Sequence, residues 1–79
     1  MTEIEFKATL QMLIPMVIQT IMENRNISVI EAVKLLYISR LYKKLEIEKT
    51  KLWHLSPFAL YELLDIELRT GKLVFPTEA

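Results

Sequence analysis

The stretch Thr50-Lys-Leu-Trp-His-Leu-Ser-Pro-Phe-Ala-Leu-Tyr-Glu-Leu-Leu-Asp-Ile-Glu-Leu68 contains the only Trp, the only His and the clearest helix start of the chain. Ser56 can cap the first free amides of a helix, and Pro57 suits the first helical position, where an N–H would have no partner. Gly71 favours a helix end just before it. The spacing therefore predicts a helix that begins after Ser56. Its inward stripe consists of Leu60, Leu63, Leu64 and Leu68.

Residues 3–24 predict one long helix, because apolar side chains recur there with the spacing of a helical stripe. Pro15 lies inside this region, and an internal proline removes one hydrogen bond and kinks a helix. We expect a kinked first helix. The alternative is two helices that meet at Pro15. The expected buried stripe consists of Phe6, Leu10, Leu13, Val17 and Ile21.

Ser28 and Glu31 have the spacing of a capping box, in which each side chain binds the backbone N–H of the other residue. This motif predicts a second helix from Val29 to about Leu45. Ser39 lies inside that span, and we expect its hydroxyl to bond the carbonyl four residues back. The expected inward face consists of Val29, Val33, Leu36 and the aliphatic stem of Arg40, flanked by Ala32, Leu35 and Ser39.

Two short segments, 51–55 and 72–75, have strand-like composition. They can pair as a two-stranded element, or each can remain extended, and their pattern does not decide between these. The predicted fold class is mainly α. We expect one domain over residues 1–79 with three principal helices, and residues 1–2 and 76–79 frayed.

The composition favours association with another chain. A domain of 79 residues has a small core, and small domains commonly need disulfides, a metal or a partner. The chain has no Cys, so disulfides are excluded. Apolar residues make up 52% of it, and three helices with wide apolar faces cannot all hide them in a monomer. We therefore predict a homodimer, the commonest assembly, or binding of another protein.

Aromatic side chains at helical spacing are interpreted as core or interface rather than as a ligand pocket. This interpretation covers Tyr37 and Tyr42 as well as the aromatic residues of the opening stretch. The residues predicted to form the interface are Trp53, Leu55, Phe58, Tyr61, Leu64 and Leu68.

Catalysis, metal binding and cofactor binding are not expected. One His and no Cys provide too few ligands for a metal site, and one Gly excludes a glycine-rich phosphate loop. His54, Ser56 and Asp65 are the only residues that suggest a catalytic triad, but the N-cap role occupies the hydroxyl of Ser56. We predict a protein that is not an enzyme and uses no cofactor.

Nucleic-acid binding is the alternative function. Segment 15–45 resembles a helix-turn-helix in its spacing. Against it, the net charge is zero and the second helix begins with apolar residues. We therefore do not expect a nucleic-acid partner, and keep a small DNA-binding regulator as the alternative. Its predicted contact residues are Lys34, Arg40, Lys43 and Lys44.

A membrane location is not expected. The apolar run 10–22 is interrupted by Pro15 and is shorter than the roughly 20 residues of a spanning helix. The start Met1-Thr-Glu-Ile-Glu is acidic where a secretory signal would be basic. These features predict a cytoplasmic protein.

The order of four segments resembles a group of short, uncharacterised bacterial helical proteins of unknown function. The segments are Asn26-Ile-Ser28, Ser39-Arg-Leu-Tyr-Lys-Lys-Leu45, Thr50-Lys-Leu-Trp53 and Ser56-Pro-Phe-Ala-Leu-Tyr61. The resemblance extends over residues 6–68 and implies an all-helical fold. It also implies an antitoxin-type or regulatory partner role, and it transfers no functional residue. From the residues themselves, the predicted function is a small protein-interaction module that forms a homodimer.

Overall fold

A computed structural model describes residues Thr2–Leu73 and contains four α-helices in that range. No strand occurs between these two residues, so the mainly α prediction is confirmed. The predicted number of three principal helices is wrong, because the second one divides. The elements in order are α1 (Glu3–Arg25), α2 (Val29–Tyr37), α3 (Arg40–Leu45), 3₁₀ turns at Glu48–Thr50 and Leu52–His54, and α4 (Pro57–Thr70).

The first helix, α1, continues through Pro15 without a break, so the two-helix alternative is wrong. Pro15 lies on the exposed side, where water can reach the carbonyl that its missing N–H leaves free. The helix begins at a capping box of Thr2 and Glu5, with bonds of 2.8 and 3.1 Å, and ends at Asn26 in the left-handed conformation. Asn tolerates this conformation better than most residues. Met1 lies outside the described residues.

The predicted starts of α2 and α4 are confirmed. The Ser28 hydroxyl accepts from the Glu31 amide at 3.2 Å, and the Glu31 carboxylate accepts from the Ser28 amide at 3.2 Å. Ser56 caps α4 by accepting from the Ala59 amide at 3.1 Å, with Pro57 in the first turn. Gly71 ends α4 with φ of +77°, a conformation that glycine adopts without a Cβ clash.

The chain breaks between Tyr37 and Arg40, where a continuous helix was predicted. Ser39 is buried, and its backbone is extended. Its hydroxyl donates to the carbonyl of Leu36, at the end of α2, and accepts from the amide of Tyr42 at 3.1 Å. The residue thus caps a new helix instead of bonding the carbonyl four residues back. The prediction failed because serine suits both roles, and the local sequence does not choose between them.

A carboxylate from α4 completes the start of α3. The two oxygens of Glu67 accept from the amides of Arg40 and Leu41 at 2.8 and 3.1 Å. The first amides of a helix have no partner within the helix, and a negative charge there also favours the helix dipole. The two hydrogen bonds join residues that are 27 and 26 positions apart in sequence. Together they fix the direction of the short α3.

Residues 51–55 form a turn rather than the strand considered from the sequence. Lys51 has a φ of +56° and lies between the two 3₁₀ turns. The Thr50 hydroxyl donates to the carbonyl of Lys44 at 2.8 Å, and the Trp53 indole donates to the carbonyl of Glu48 at 3.0 Å. These local bonds hold the segment compact. Its proposed partner strand 72–75 is not a strand at residues 72–73, and residues 74–75 lie outside the described range.

The core lies where all four helices meet. Four of the five residues expected from α1 are buried, and Leu10 is half-buried. In α2 the buried residues are Ala32 and Leu36, while the predicted Val29 is half exposed. Leu36 is thus buried as predicted, whereas Ala32, predicted to flank this face, is buried instead of Val29 in the first turn of α2. The buried cluster comprises Leu13, Val17, Ile21, Ala32, Leu36, Leu41, Leu45, Leu52, Leu60, Leu63 and Leu64.

The Glu67 contact gives a test of the fold. Replacing Glu67→Gln keeps the shape but removes the charge and one acceptor, leaving one amide of α3 without its bond. We expect a loss of about 1.5–3 kcal/mol in the free energy of unfolding, measured with urea. Glu62→Gln, an exposed position on the same helix, should change it by less than about 0.5 kcal/mol. Equal effects of the two substitutions would contradict the assignment.

Candidate interaction surfaces

The first candidate surface is a groove between α1 and two stacked tyrosines. The rings of Tyr37, at the end of α2, and Tyr42, in α3, have centroids 4.5 Å apart and planes inclined by 18°. In one continuous helix two residues five positions apart would differ by about 140° in direction, so only the break at Ser39 lets them stack. The groove has a volume of about 350 Å³. We call it the tyrosine groove; its lining residues are Lys7, Leu10, Gln11, Ile14, Pro15, Tyr37 and Tyr42.

The tyrosine groove has little charge, because Lys7 is the one ionised side chain of its lining. Burial raises the pKa of Tyr42 to about 12, and the nearby negative charge of Glu46 and the ring of Tyr37 add to the shift. Tyr42 is therefore a neutral hydroxyl at physiological pH. Lys7 is the one cation of the lining, and it forms an exposed ion pair of 3.8 Å with Glu3. A mainly apolar partner suits such a groove.

An apolar stripe on α2 continues the groove. Ile30, Val33 and Tyr37 lie on one side of α2 by their three- and four-residue spacing. Ile30 is 64% exposed and Tyr37 49%. We call Ile30, Val33 and the tyrosine groove together the hairpin surface. The other exposed large apolar residues are Ile4, Met12, Met16, Val29, Ile38, Ile47, Phe58 and Leu68.

The six residues predicted as an interface are not all at the surface. Leu64 is fully buried in the core. Trp53 is half-buried, with its edge against Phe6 at a centroid distance of 6.5 Å. Its indole N–H is occupied by the Glu48 carbonyl. Leu55 is half-buried as well. In a monomer, these three predicted residues contribute mainly to packing.

The predicted residues that remain accessible lie on α4. Phe58 and Tyr61 contact each other, with ring centroids 6.1 Å apart, and Leu68 is 37% exposed two turns further on. Asp65 lies between them in sequence and binds Arg25 at 3.2 Å and Arg69 at 2.9 Å. These ion pairs place charged groups between the aromatic pair Phe58 and Tyr61 and the next exposed apolar residue of α4, Leu68. An interface on α4 stays a prediction. The exposed apolar surface of α4 is less continuous than the hairpin surface.

The second candidate surface is basic. Three of the four residues predicted to contact nucleic acid, Arg40, Lys43 and Lys44, line one groove of about 490 Å³. Lys72 joins them from the segment after α4, and the Arg40 guanidinium donates to the Gly71 carbonyl at 3.3 Å. We call it the basic groove; its lining residues are Arg40, Lys43, Lys44, Ile47, Lys72 and Leu73.

The sequence did not indicate how these cations are grouped. Lys34, the fourth predicted residue, lines a different pocket with Glu31 and Arg25. Lys72 was missed, because only the Glu67 and Arg40 contacts bring the end of α4 beside α3. The turn at Gly71 was a signal that the chain reverses there, but it does not say toward which element.

The residues that suggested a catalytic triad have other roles. The Ser56 hydroxyl caps α4, Asp65 binds two arginines, and the ring of His54 lies 5.0 Å from that of Trp53. Within residues 2–73, no group of three or more His, Asp and Glu side chains is arranged to hold a metal ion.

The chain shows no match to known protein families, characterised proteins or solved structures. The resemblance to short bacterial helical proteins therefore stays a prediction. Over the part of the chain that the structure describes, no helix combines the length and apolar content needed to cross a bilayer.

The raised pKa of Tyr42 predicts a specific dependence of stability on pH. The folded state keeps the Tyr42 proton up to about pH 12, against an ordinary value of 10.0. Its contribution is complete below pH 10 and is lost as the pH rises toward 12. We expect the free energy of unfolding to fall more steeply over this range in the wild type than in Tyr42→Phe. Lysine ionisation is common to both proteins. Parallel curves in urea titrations would show that Tyr42 has no raised pKa.

Proposed function

We propose that the protein is a non-catalytic interaction module that forms a homodimer through the hairpin surface. The observation that carries this proposal is the exposure of Ile30 and Tyr37 on one side of α2, where Tyr37 also lines the open tyrosine groove. Exposed apolar patches of this kind are typical of protein interfaces. The pattern also agrees with the apolar surplus of the sequence.

The energy scale supports a dimer of moderate affinity. Burying one large apolar side chain contributes about 1.5–3 kcal/mol. In a twofold dimer, Ile30, Val33 and Tyr37 would each count twice. Half or more of Ile30 and Tyr37 and a smaller part of Val33 remain to be buried, giving on the order of 4–9 kcal/mol. Association costs about 4–15 kcal/mol. The stripe alone therefore offsets only the lower part of that cost, and the proposed dimer requires further apolar burial in the tyrosine groove. A concentration-dependent dimer follows.

The charges on this side do not oppose a second copy. The net charge of the chain is zero, so two copies do not repel one another at long range. The exposed charged residues of α2 are Glu31 and Lys34, one of each sign. Tyr42 is neutral at physiological pH. A twofold arrangement can therefore bring two hairpin surfaces together without burying like charges.

A DNA-binding role has less support. The exposed side of α2 presents Ile30 and Tyr37, where a recognition helix would present polar side chains. The start of α3 could bind phosphate through free amides, but the Glu67 carboxylate occupies them. The four cations of the basic groove, Arg40, Lys43, Lys44 and Lys72, favour this alternative.

The test is the solution mass from light scattering over a concentration series, for the wild type and two matched variants. The hairpin variant carries Ile30→Glu and Tyr37→Lys, and the α4 variant carries Phe58→Glu and Leu68→Lys. Both leave the net charge unchanged, and all four positions are exposed. We expect a dimeric wild type, a dimeric α4 variant and a monomeric hairpin variant with unchanged helicity in circular dichroism.

Two results would contradict the proposal. A wild type that stays monomeric at all concentrations would refute self-association. A monomeric α4 variant together with a dimeric hairpin variant would place the interface on α4, at the residues predicted from the sequence.

A further inference from the structure

We propose that the basic groove binds an acidic segment of a second protein, with carboxylates on both sides of a large apolar side chain. This site is separate from the hairpin surface and goes beyond the homodimer.

The groove combines a charged rim with an aliphatic floor. Arg40, Lys43, Lys44 and Lys72 are all exposed, and Ile47 and Leu73 complete the lining. No acidic side chain belongs to this lining. Carboxylates can reach the rim while one apolar side chain covers the floor, as in other peptide-binding grooves.

Ile47 extends the site beyond this groove. It is 47% exposed and also lines a neighbouring hollow of about 700 Å³ with Lys49, Lys51 and Trp53. One acidic residue, Glu48, belongs to that second lining, and its carbonyl holds the Trp53 indole. Cations therefore line the hollows on both sides of this exposed isoleucine, and they outnumber its two acidic neighbours in sequence, Glu46 and Glu48. Such an apolar residue within a charged rim is the arrangement expected of an anchor point.

Although the net charge is zero, most acidic side chains already have partners within the chain, whereas the cations of the basic groove form no ion pair between residues 2 and 73. Of the nine acidic side chains between residues 2 and 73, six form ion pairs or hydrogen bonds inside the chain. They are Glu3, Glu5, Glu23, Glu31, Asp65 and Glu67. The ion pairs seen between residues 2 and 73 use Lys7, Arg25 and Arg69, and none uses a cation of the basic groove. The cations around Ile47 thus keep their charge available to a partner.

Because most acidic side chains of this chain are already engaged, another protein is a better ligand for the basic groove than a second copy. Between residues 2 and 73, three isoleucines lie between two acidic residues, namely Ile4, Ile47 and Ile66. Ile4 is the most exposed of the three, at 81%, so the start of α1 most resembles the proposed ligand. However, Glu3 pairs with Lys7, and Glu5 caps Thr2. Docking this segment would compete with both contacts.

A peptide suits the groove better than a nucleic acid. The floor of the basic groove is aliphatic, and Trp53 in the neighbouring hollow is half-buried against Phe6. Single-stranded nucleic acids bind instead through exposed aromatic side chains on which their bases stack. Lys43 and Lys44 lie in the last turn of α3, and Lys72 follows the end of α4, so the negative ends of two helix dipoles lie nearby. Phosphates held close to the backbone are disfavoured there. Carboxylates on a flexible peptide can instead meet the lysine side chains away from the helix ends.

The test uses fluorescence anisotropy with a labelled peptide of sequence Glu-Asp-Leu-Glu-Glu-Leu-Asp-Glu. The groove variant carries Lys43→Gln and Lys44→Gln, and the matched control carries Lys34→Gln and Arg69→Gln, an equal loss of charge at exposed positions that line neither the basic groove nor the tyrosine groove. We expect the groove variant to bind at least about fivefold more weakly and the control to bind like the wild type. Ile47→Ser, or a peptide with both Leu replaced by Ser, should also weaken binding about fivefold.

Several results would overturn the proposal. Equal losses in the groove variant and the control would indicate non-specific attraction. Tighter binding of a DNA duplex than of the peptide would assign the groove to nucleic acid. Binding that appears only after removal of residues 74–79 would assign it to the chain's own end. A groove variant that loses the homodimer would assign it to a second copy. The masses of the same samples keep the two proposals apart, because a monomer that binds the peptide would refute only the homodimer.

Discussion

A single carboxylate, that of Glu67 on α4, holds the first two amides of α3, and both candidate surfaces depend on this contact. The helix it fixes has only six residues. Isolated helices this short are unstable in water, so α3 requires tertiary contacts. Ser39 provides the local part by ending α2 and capping α3. Leu41 and Leu45 then anchor the helix in the core.

The direction of α3 brings together residues from distant parts of the chain. On one side Tyr42 stacks on Tyr37 and completes the tyrosine groove. On the other side Lys43 and Lys44 join Lys72 in the basic groove. One apolar and one positively charged surface therefore arise from the same short helix. A module with two such surfaces can associate with its own copy and still offer a separate site to an acidic partner.

The sequence predicted what depends on local chemistry. The capping box at Ser28, the Ser56-Pro57 start and the Gly71 end are formed by neighbouring residues, and the structure confirms them. The break at Ser39 could not be predicted, because Glu67, distant in sequence, stabilises it. The pairing of the two tyrosines and the position of Lys72 follow from that break. The burial of Leu64 was predicted, but its use at an interface was also proposed, since helical spacing alone does not separate core from contact surface.

The homodimer through the hairpin surface is tested most directly by NMR contacts between two protomers, because these contacts report on the interface without any substitution. One half of the protein carries ¹³C and ¹⁵N, the other half is unlabelled, and filtered spectra select contacts between the two. A dimer formed through the hairpin surface predicts contacts of Ile30 and Tyr37 with Gln11, Ile14 or Pro15 of the other copy. Contacts confined to Phe58 and Leu68, or none at concentrations where the mass is that of a dimer, would contradict it.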